Sequence, residues 1–561
     1  MKILKLIGLL YCLIGFTQTQ NETLLKHLDS VTTYVDRVVD VTPGTSVIIT
    51  KNNQTFYTAA NGLSSIELNI KNTIDTKYDL ASIAKVFTGY AIATLEVEGK
   101  LSTQDHIQKY LPNFPVYDHP ITVGHLVHHT SGIKNWTSLI YQMGWSNEDR
   151  ITTDQLLRLI YAQKSLNFIS GERYQYSNSG YVLLTKIIEN ITGQSFASWT
   201  QEHIFQPLEM THTFFNEDTH KVIVGMASAY MLKGNECIRE AYNTSALGSS
   251  SLISNATDMA KWMNFLLFPP EDKQAIINKM FSTKKLNNGI ENNYAYGIEI
   301  SSHNDVKTIG HSGSWASFTS EMTIIPEQKI GVFFANNYRV HTGSIMSLYL
   351  NVVLPFKPEN SEDNKQEDND TNASESTSEA IDTSVAHLDQ FIGKFKLGEA
   401  WYLDITRKGN QLFTRATSEN TFEMIPVNKT TFRVRAYGNR TITFKFDKDG
   451  VVNALEYNDI NAPRVAETFY FNKDEFKKYE GVYYCTELDA VYELKTEDNA
   501  LTYKNIKSGK YSLFSVSDTF FFSEEGLLSK IEFNMDKKKN VIGFRQINSK
   551  KETLFSFNKA N

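Results

Sequence analysis

The stretch Ser82-Ile83-Ala84-Lys85, which opens the apolar, helix-like run from Val86 to Leu95, decides how this chain is interpreted. A serine and a lysine three residues apart on a helix share one face, so the Lys85 amine can reach the Ser82 hydroxyl. A serine hydroxyl needs a positioned base before it can attack a carbonyl at neutral pH. The stretch therefore predicts an acyl-transfer nucleophile, although an isolated match is more often a solvated helix face.

Two further motifs strengthen this interpretation. Tyr176-Ser177-Asn178 stands directly before a second helix-like run, and His311-Ser312-Gly313 precedes an alternating strand pattern. In their order and wide spacing the three motifs resemble the serine β-lactamase and penicillin-binding protein superfamily, which includes class C β-lactamases, DD-peptidases, esterases and D-aminopeptidases. The stretch from Ile121 to Ile133 agrees with this resemblance, which covers about residues 25 to 355.

The resemblance assigns seven residues to the site: catalytic Ser82, Lys85 and Tyr176, and substrate-binding Asn178, His311, Gly313 and Ser314. It implies that Ser82 forms an acyl-enzyme and that Lys85 and Tyr176 share the proton relay, with the identity of the base left open. The backbone amides of Ser82 and Ser314 would form the oxyanion hole. Gly313 would leave room for close approach of the backbone.

Several of these residues also have plainer interpretations. Tyr176 could be a packed aromatic, Asn178 could cap a helix that starts near Gly180, and His311 could be a surface histidine at a strand end. His311 departs from the lysine of the penicillin-binding pattern. A mostly neutral histidine favours substrates that carry no obligatory carboxylate beside the scissile bond.

Composition and charge exclude other classes of protein. The net charge of -7 and the absence of a basic stripe argue against a nucleic-acid partner. His125, His128 and His129 could suggest a metal site, but the glutamate and third ligand of a metalloprotease pattern are missing. We therefore expect neither a metal nor a cofactor, and a small-molecule or peptide substrate as the partner.

The first twenty residues predict a secretory signal. Lys2 and Lys5 precede the apolar run from Leu6 to Phe16, which is too short to span a membrane. We therefore expect residues 1–20 to direct export, and the protein to be periplasmic or secreted without an integral membrane span. Beyond residues 1–20 the chain has two cysteines, Cys237 and Cys485, which fall in different predicted domains. Two thiols are expected there rather than a disulfide.

At 561 residues the chain predicts several domains. Residues 21–356 predict an α/β (α+β) domain of the β-lactamase and DD-peptidase type, in which strands from both ends form a central antiparallel sheet around a helical insert. Residues 357–385 are acidic and poor in large apolar side chains, which indicates a disordered linker. A duplicated all-β region follows as residues 386–472 and 473–561, either two small barrels or one compound unit.

These features predict an exported serine hydrolase that cleaves an ester or an amide, such as a D-amino-acid peptide or a peptide from the cell wall. True β-lactamase activity is less favoured by the sequence, and the oligomeric state is not indicated. The alternative is a non-catalytic, penicillin-recognising sensor or scaffold whose β-rich tail binds a partner.

Overall fold

The structure is a computed structural model and divides into two compact units, one that includes residues 22–140 and 145–354, and one that includes residues 385–560. It describes residues 22–33, 42–146, 148–233, 236–354, 385–398, 401–416, 421–434, 440–457, 460–465, 473–497, 500–507, 509–515, 517–523, 526–548 and 551–560. The expected signal segment and nearly all of the expected linker lie outside the described residues.

A six-stranded antiparallel sheet forms the centre of the first unit, with its strands in the order Glu299–His303, Val306–Trp315, Phe318–Ile325, Ile330–Asn336, Thr45–Lys51 and Gln54–Asn61. The strands of this unit are β1 Thr45–Lys51, β2 Gln54–Asn61, β3 Leu63–Ser65, β4 Ile70–Lys71, β5 Tyr78–Asp79, β6 Phe214–Phe215, β7 Ala229–Lys233, β8 Glu236–Glu240, β9 Leu252–Ser254, β10 Glu299–His303, β11 Val306–Trp315, β12 Phe318–Ile325 and β13 Ile330–Asn336. The first strand pairs with the last, since Thr45 lies opposite Asn336 and Lys51 opposite Ile330. The expected sheet from both ends of the domain is confirmed.

Helices cover both faces of this sheet and build the insert between its strands. They are α1 at residues 22–33, α2 Ala84–Val97, α3 Val123–Val127, α4 Trp136–Gln142, α5 Thr153–Tyr161, α6 Asn178–Thr192, α7 Phe196–Thr200, α8 Ala256–Leu267, α9 Gln274–Met280 and α10 Thr342–Val353. On one face Leu28 of α1 and Tyr349 of α10 share a core with Val47 and Phe334 of the sheet. On the other face α8 packs on β1 and β13.

The helix α2 is buried on every side, from Ala84 to Leu95. A helix that is apolar all round packs within a core rather than at a surface. Its backbone lies so close to its neighbour that a Cβ on Gly297 would fall 1.9 Å from the Lys85 carbonyl oxygen. Gly297 has φ +75°, so glycine is required here by conformation and by space. This close approach fixes the first turn of α2.

The second unit consists of two closed eight-stranded barrels. The first barrel contains α11 Val385–Asp389 and β14 Gly393–Gly398, β15 Trp401–Lys408, β16 Gln411–Ala416, β17 Phe422–Pro426, β18 Thr431–Val434, β19 Arg440–Phe446, β20 Val452–Tyr457 and β21 Ile460–Val465. The second contains α12 Lys473–Phe476 and β22 Gly481–Cys485, β23 Ala490–Glu497, β24 Ala500–Asn505, β25 Tyr511–Ser515, β26 Phe520–Phe522, β27 Lys530–Met535, β28 Val541–Ile547 and β29 Thr553–Lys559. The duplicated all-β region is therefore confirmed, in its two-barrel form.

Some local expectations differ from the structure. The segment at Tyr294 is not part of β10, which begins at Glu299, because the Tyr294 backbone amide donates to Asn292 Oδ1 and its carbonyl oxygen bonds His128 Nδ1. Conversely, β11 runs on to Trp315 and contains the motif at His311. Cys237 and Cys485 are both thiols. In the described part of the chain, no helix is long and apolar enough to cross a membrane.

The close approach at Gly297 can be tested by substitution. Gly297→Ala introduces both left-handed strain and a clash with the Lys85 carbonyl, so we expect it to lower the free energy of unfolding by about 3 kcal/mol or more. Gly99→Ala is the matched control, because Gly99 has φ +71° but no atom within 4 Å of its added Cβ. It should cost only about 1–2 kcal/mol. Equal losses in urea denaturation would show that the close approach does not matter.

Candidate active site

Ser82 lies in a 3-10 turn, Ala81–Ile83, that leads directly into α2. A hydrogen bond from the Ala81 backbone amide to Asp79 Oδ1, at 2.6 Å, fixes this turn. Ala81 has φ +48°, an uncommon value for a residue with a Cβ. Asp79 is 1% exposed, and its burial raises its pKa to about 6, against the opposing effects of the Tyr242 hydroxyl and the Ala81 amide. Ser82 is thus presented on a constrained turn at the start of a helix.

Lys85 is fully buried and turned toward Ser82. Its Nζ lies 3.1 Å from Ser82 Oγ and donates to the Ser249 carbonyl oxygen at 2.7 Å. Burial lowers its pKa well below the ordinary value. Desolvation disfavours the ammonium form, so the neutral amine becomes accessible. The expected pairing of Ser82 with Lys85 is therefore present in the geometry.

Tyr176 completes this group from the segment just before α6. Its ring centroid lies 4.9 Å from Lys85 Nζ, and burial raises its pKa, opposed by a hydrogen bond with Ser82. A high pKa keeps the phenol protonated at neutral pH, which suits a hydrogen-bond donor. Ser82, Lys85 and Tyr176 therefore meet at one point, although they come from two separate stretches of the insert.

His311 is buried within β11, 6% exposed, so the interpretation as a surface histidine at a strand end is wrong. Its Nδ1 lies 2.6 Å from the Ser312 carbonyl oxygen, which can only accept, so Nδ1 carries the proton. Its Nε2 then accepts from the Tyr294 hydroxyl at 2.9 Å. Burial and the nearby Lys85 lower the pKa of His311 to about 3, so the ring is neutral throughout the physiological range.

Gly313 and Ser314 follow on the same strand. A Cβ on Gly313 would lie 2.1 Å from the Leu80 carbonyl oxygen, and Ser320 of the next strand donates to that same oxygen at 2.9 Å. The strand pair thus packs directly on the turn that carries Ser82. Ser314 is exposed beside this contact, and the expected role of its amide in an oxyanion hole stays a prediction.

Asn178 is the first residue of α6 and the cap position belongs to Ser177, so the interpretation of Asn178 as the helix cap is wrong. The Asn178 backbone amide donates to Asn135 Oδ1 at 3.1 Å, and the Asn178 residue is half-buried. The expected contact of its side chain with a substrate carbonyl stays a prediction.

The three histidines of the 125–129 segment have separate structural partners. Nδ1 of His125 accepts from the Thr122 amide at the start of α3, and Nδ1 of His128 bonds the Tyr294 carbonyl. Nδ1 of His129 accepts from the Ser177 amide at 3.2 Å. The described residues contain no group of histidine, cysteine or carboxylate side chains arranged to hold a metal.

A cavity of about 380 Å³ lies beside the aromatic part of the site. Tyr174 and Tyr294 line it together with the carboxylates of Glu291 and Glu299. Burial raises the pKa of Glu299. The tyrosines Tyr174 and Tyr294 therefore share this cavity with two acidic residues, Glu291 and Glu299.

The comparison with protein families decides the assignment, since the Beta-lactamase family matches residues 31–344, more than half of the chain. The chain belongs to the Beta-lactamase family. Among curated proteins it is 28% identical over 332 residues to protein flp of Staphylococcus aureus (strain MW2), covering 57% of this chain and 63% of flp. It is 24% identical over 408 residues to a penicillin-binding protein of Bacillus subtilis (strain 168), covering 68% of this chain and 85% of that protein.

Solved structures agree on the fold. The octameric penicillin-binding protein homologue from Pyrococcus abyssi is similar, with a TM-score of 0.53 and 21% identity over 87% of this chain and 98% of its own. EstCE1, a hydrolase with promiscuous acyltransferase activity, has a TM-score of 0.50 and 19% identity over 59% of this chain and 99% of its own. The family match and these structures show the β-lactamase fold, in a chain that spans less than two thirds of the length of the flp proteins it matches.

Sequence reasoning missed three contributors to the site. The Ser249 carbonyl that holds Lys85 and the Tyr294 hydroxyl that holds His311 come from loops without a motif. His129 was considered only as a metal ligand. Its place in the stretch from Ile121 to Ile133, which matches the family pattern, was the signal that could have pointed to the catalytic site.

The buried carboxyl of Asp79 predicts a characteristic dependence of stability on pH. Because its pKa is raised to about 6, its contribution to stability is fully present below its ordinary pKa and is lost as the pH rises through about 6. Asp79→Asn keeps an oxygen acceptor for the Ala81 amide and cannot ionise. Its unfolding free energy, relative to wild type, should therefore rise by about 3 kcal/mol between pH 4 and pH 8.

Asp105→Asn is the control, because the pKa of Asp105 is shifted in the opposite direction to that of Asp79. Lys109 and then Tyr110 lower the pKa of Asp105 to about 2, so its contribution is lost only at more acidic pH. The difference between Asp105→Asn and wild type should stay constant over the same range. A constant difference for Asp79→Asn as well would contradict the raised pKa.

Proposed function

We propose that the protein is an exported serine hydrolase that cleaves an ester or amide through an acyl-enzyme on Ser82. The observation that carries the proposal is the buried Lys85 amine, whose Nζ is 3.1 Å from Ser82 Oγ and whose pKa is lowered by burial. A neutral amine at this distance is a base in position to take the hydroxyl proton. The family assignment supports this class of chemistry.

The reaction starts when Ser82 Oγ attacks the substrate carbonyl carbon and passes its proton to Lys85 Nζ. The new bond between Oγ and carbon gives a tetrahedral intermediate, whose oxyanion would accept from the amides of Ser82 and Ser314. Tyr176 donates its phenol proton to the leaving group as the bond from carbon to that group breaks, and Lys85 returns a proton to Tyr176. This division makes Lys85 the base and Tyr176 the acid.

Deacylation repeats these steps with water as the nucleophile. Water gives one proton to the relay of Lys85 and Tyr176 and forms a bond to the acyl carbon. The bond from carbon to Ser82 Oγ then breaks, the relay returns the proton to Oγ, and the carboxylic acid leaves. The serine and both relay residues are restored, so the cycle consumes only substrate and water.

The proposed substrates lack an obligatory carboxylate beside the scissile bond. His311 is neutral and both its ring nitrogens are engaged within the protein, so it supplies no cation for such a group. Neutral esters and amides fit a neutral His311, and a peptide from the cell wall would fit only where no carboxylate adjoins the scissile bond. The non-catalytic alternative is not favoured, because Ser82, Lys85 and Tyr176 are brought together. Export rests on the signal-like pattern of residues 1–20.

Covalent labelling tests the nucleophile. Wild-type protein should react with a fluorophosphonate probe, and Ser82→Ala should lose this labelling while its circular dichroism stays unchanged, because only one hydroxyl is removed. Ser282→Ala, which removes a serine hydroxyl bonded to the Lys279 carbonyl at the end of α9, should label at the wild-type rate. Wild-type labelling of Ser82→Ala would place the nucleophile elsewhere.

The proton relay is tested by Lys85→Ala and Tyr176→Phe. Each should slow hydrolysis of the best p-nitrophenyl ester by roughly a hundredfold or more, the usual contribution of a positioned proton-transfer group. In wild type the rate of acylation should reach its plateau well below the ordinary lysine pKa, because burial favours the neutral amine. Normal turnover by either variant would refute the relay.

A further inference from the structure

His129 bonds the backbone on both sides of Tyr176. Its carbonyl oxygen accepts from the Gln175 amide at 2.8 Å, and its Nδ1 accepts from the Ser177 amide at 3.2 Å. The residue has φ +56°, a left-handed conformation that is uncommon for a residue with a Cβ. One residue, in this unusual conformation, therefore accepts from the backbone amides of both residues next to the proposed acid.

The His129 ring also packs on the Tyr176 ring. Their centroids are 4.3 Å apart, and Tyr294 and Tyr181 lie 4.4 Å and 5.1 Å from the same imidazole. His129 is only 1% exposed, so this packing excludes water from one side of the phenol. Backbone and ring contacts together restrict where the Tyr176 hydroxyl can lie.

The bond to Ser177 requires one protonation state of His129. A backbone amide can only donate, so Nδ1 must be unprotonated and the ring proton lies on Nε2. Among the residues that the structure describes, Nε2 has no hydrogen-bond partner. Burial, and then Lys85, His311 and His128, lower the pKa of His129 well below its ordinary value, so the acceptor persists at neutral pH.

We propose that His129 is a positioning residue for Tyr176, acting through the acceptor at Nδ1 and not as a metal ligand. The inference rests on the proposed function, since it concerns the acid of that reaction. A shift of about 1 Å in a catalytic group can cost roughly a hundredfold in rate, which sets the scale of the expected effect. Substrate binding, by contrast, does not require Tyr176 to be aligned for proton transfer.

Two substitutions separate the acceptor from the ring. His129→Asn keeps an oxygen acceptor near the position of Nδ1 and tolerates positive φ, whereas His129→Phe keeps an aromatic ring without an acceptor. On a p-nitrophenyl ester, His129→Phe should lower kcat by roughly tenfold to a hundredfold with KM changed less than about threefold. His129→Asn should retain kcat within about fivefold of wild type.

His125→Phe is the matched control for lost stability. Its Nδ1 also accepts a backbone amide at 3.2 Å, that of Thr122, and the residue takes no part in the proposed site. It should lower Tm about as much as His129→Phe while leaving kcat unchanged. A merely structural role for His129 would give the same losses of Tm in both variants, but without the selective loss of kcat in His129→Phe.

The outcomes distinguish the two proposals. Failure of wild-type protein to label with fluorophosphonate would overturn the proposed function and the inference with it. If wild type labels, unchanged kcat in His129→Phe, or kcat in His129→Asn as low as in His129→Phe, would overturn the inference alone. If His129→Phe does not fold, His129→Ala, which removes the acceptor without added bulk, takes its place with the same expected loss of kcat.

Discussion

The burial of the Lys85 amine is the constraint on which the rest of the site depends. An ammonium taken out of water without a carboxylate costs several kcal/mol, so a fully buried lysine is accepted mainly as a neutral amine. The Ser249 carbonyl and the Ser82 hydroxyl supply its hydrogen bonds without adding a negative charge. The same low polarity keeps His311 neutral and the Tyr176 phenol protonated. Burial therefore sets the protonation states of Lys85, Tyr176 and His311 together.

The fold sustains this burial by packing backbone against backbone. Gly297 lets its own loop approach the Lys85 carbonyl, and Gly313 lets β11 approach the turn before Ser82. Side chains at either position would push the two surfaces apart and admit water to the amine. The dryness of the site is thus a property of these backbone approaches as much as of the aromatic residues around them.

The sequence predicts those helices, strands and repeats that depend on residues close together in the chain. The alternating polar and apolar residues of β12, the apolar run of α2 and the repeat in the two barrels each follow from periodicity or self-similarity. The start of β10, the burial of His311 and the contacts of His129 depend on residues distant in the chain. A histidine can lie at a surface, bind a metal or pack in a core, so its role is known only once its neighbours in the fold are known. Ser249 contributes through its carbonyl, which no side-chain pattern can reveal.

The pairing of β1 with β13 has a consequence for the order in which the protein is made. The hairpin of β1 and β2 leaves the ribosome long before β13, yet β1 pairs on its other side with that strand, which ends at Asn336. The turn of Ser82 likewise emerges before Gly313 and Ser320, the residues against which it packs. Such distant pairings close slowly, because chain entropy opposes them until the partner arrives. The nascent chain thus carries Ser82, Lys85 and Tyr176 before any of them is shielded from water, and the buried arrangement of the three side chains forms only when the last strands close the sheet.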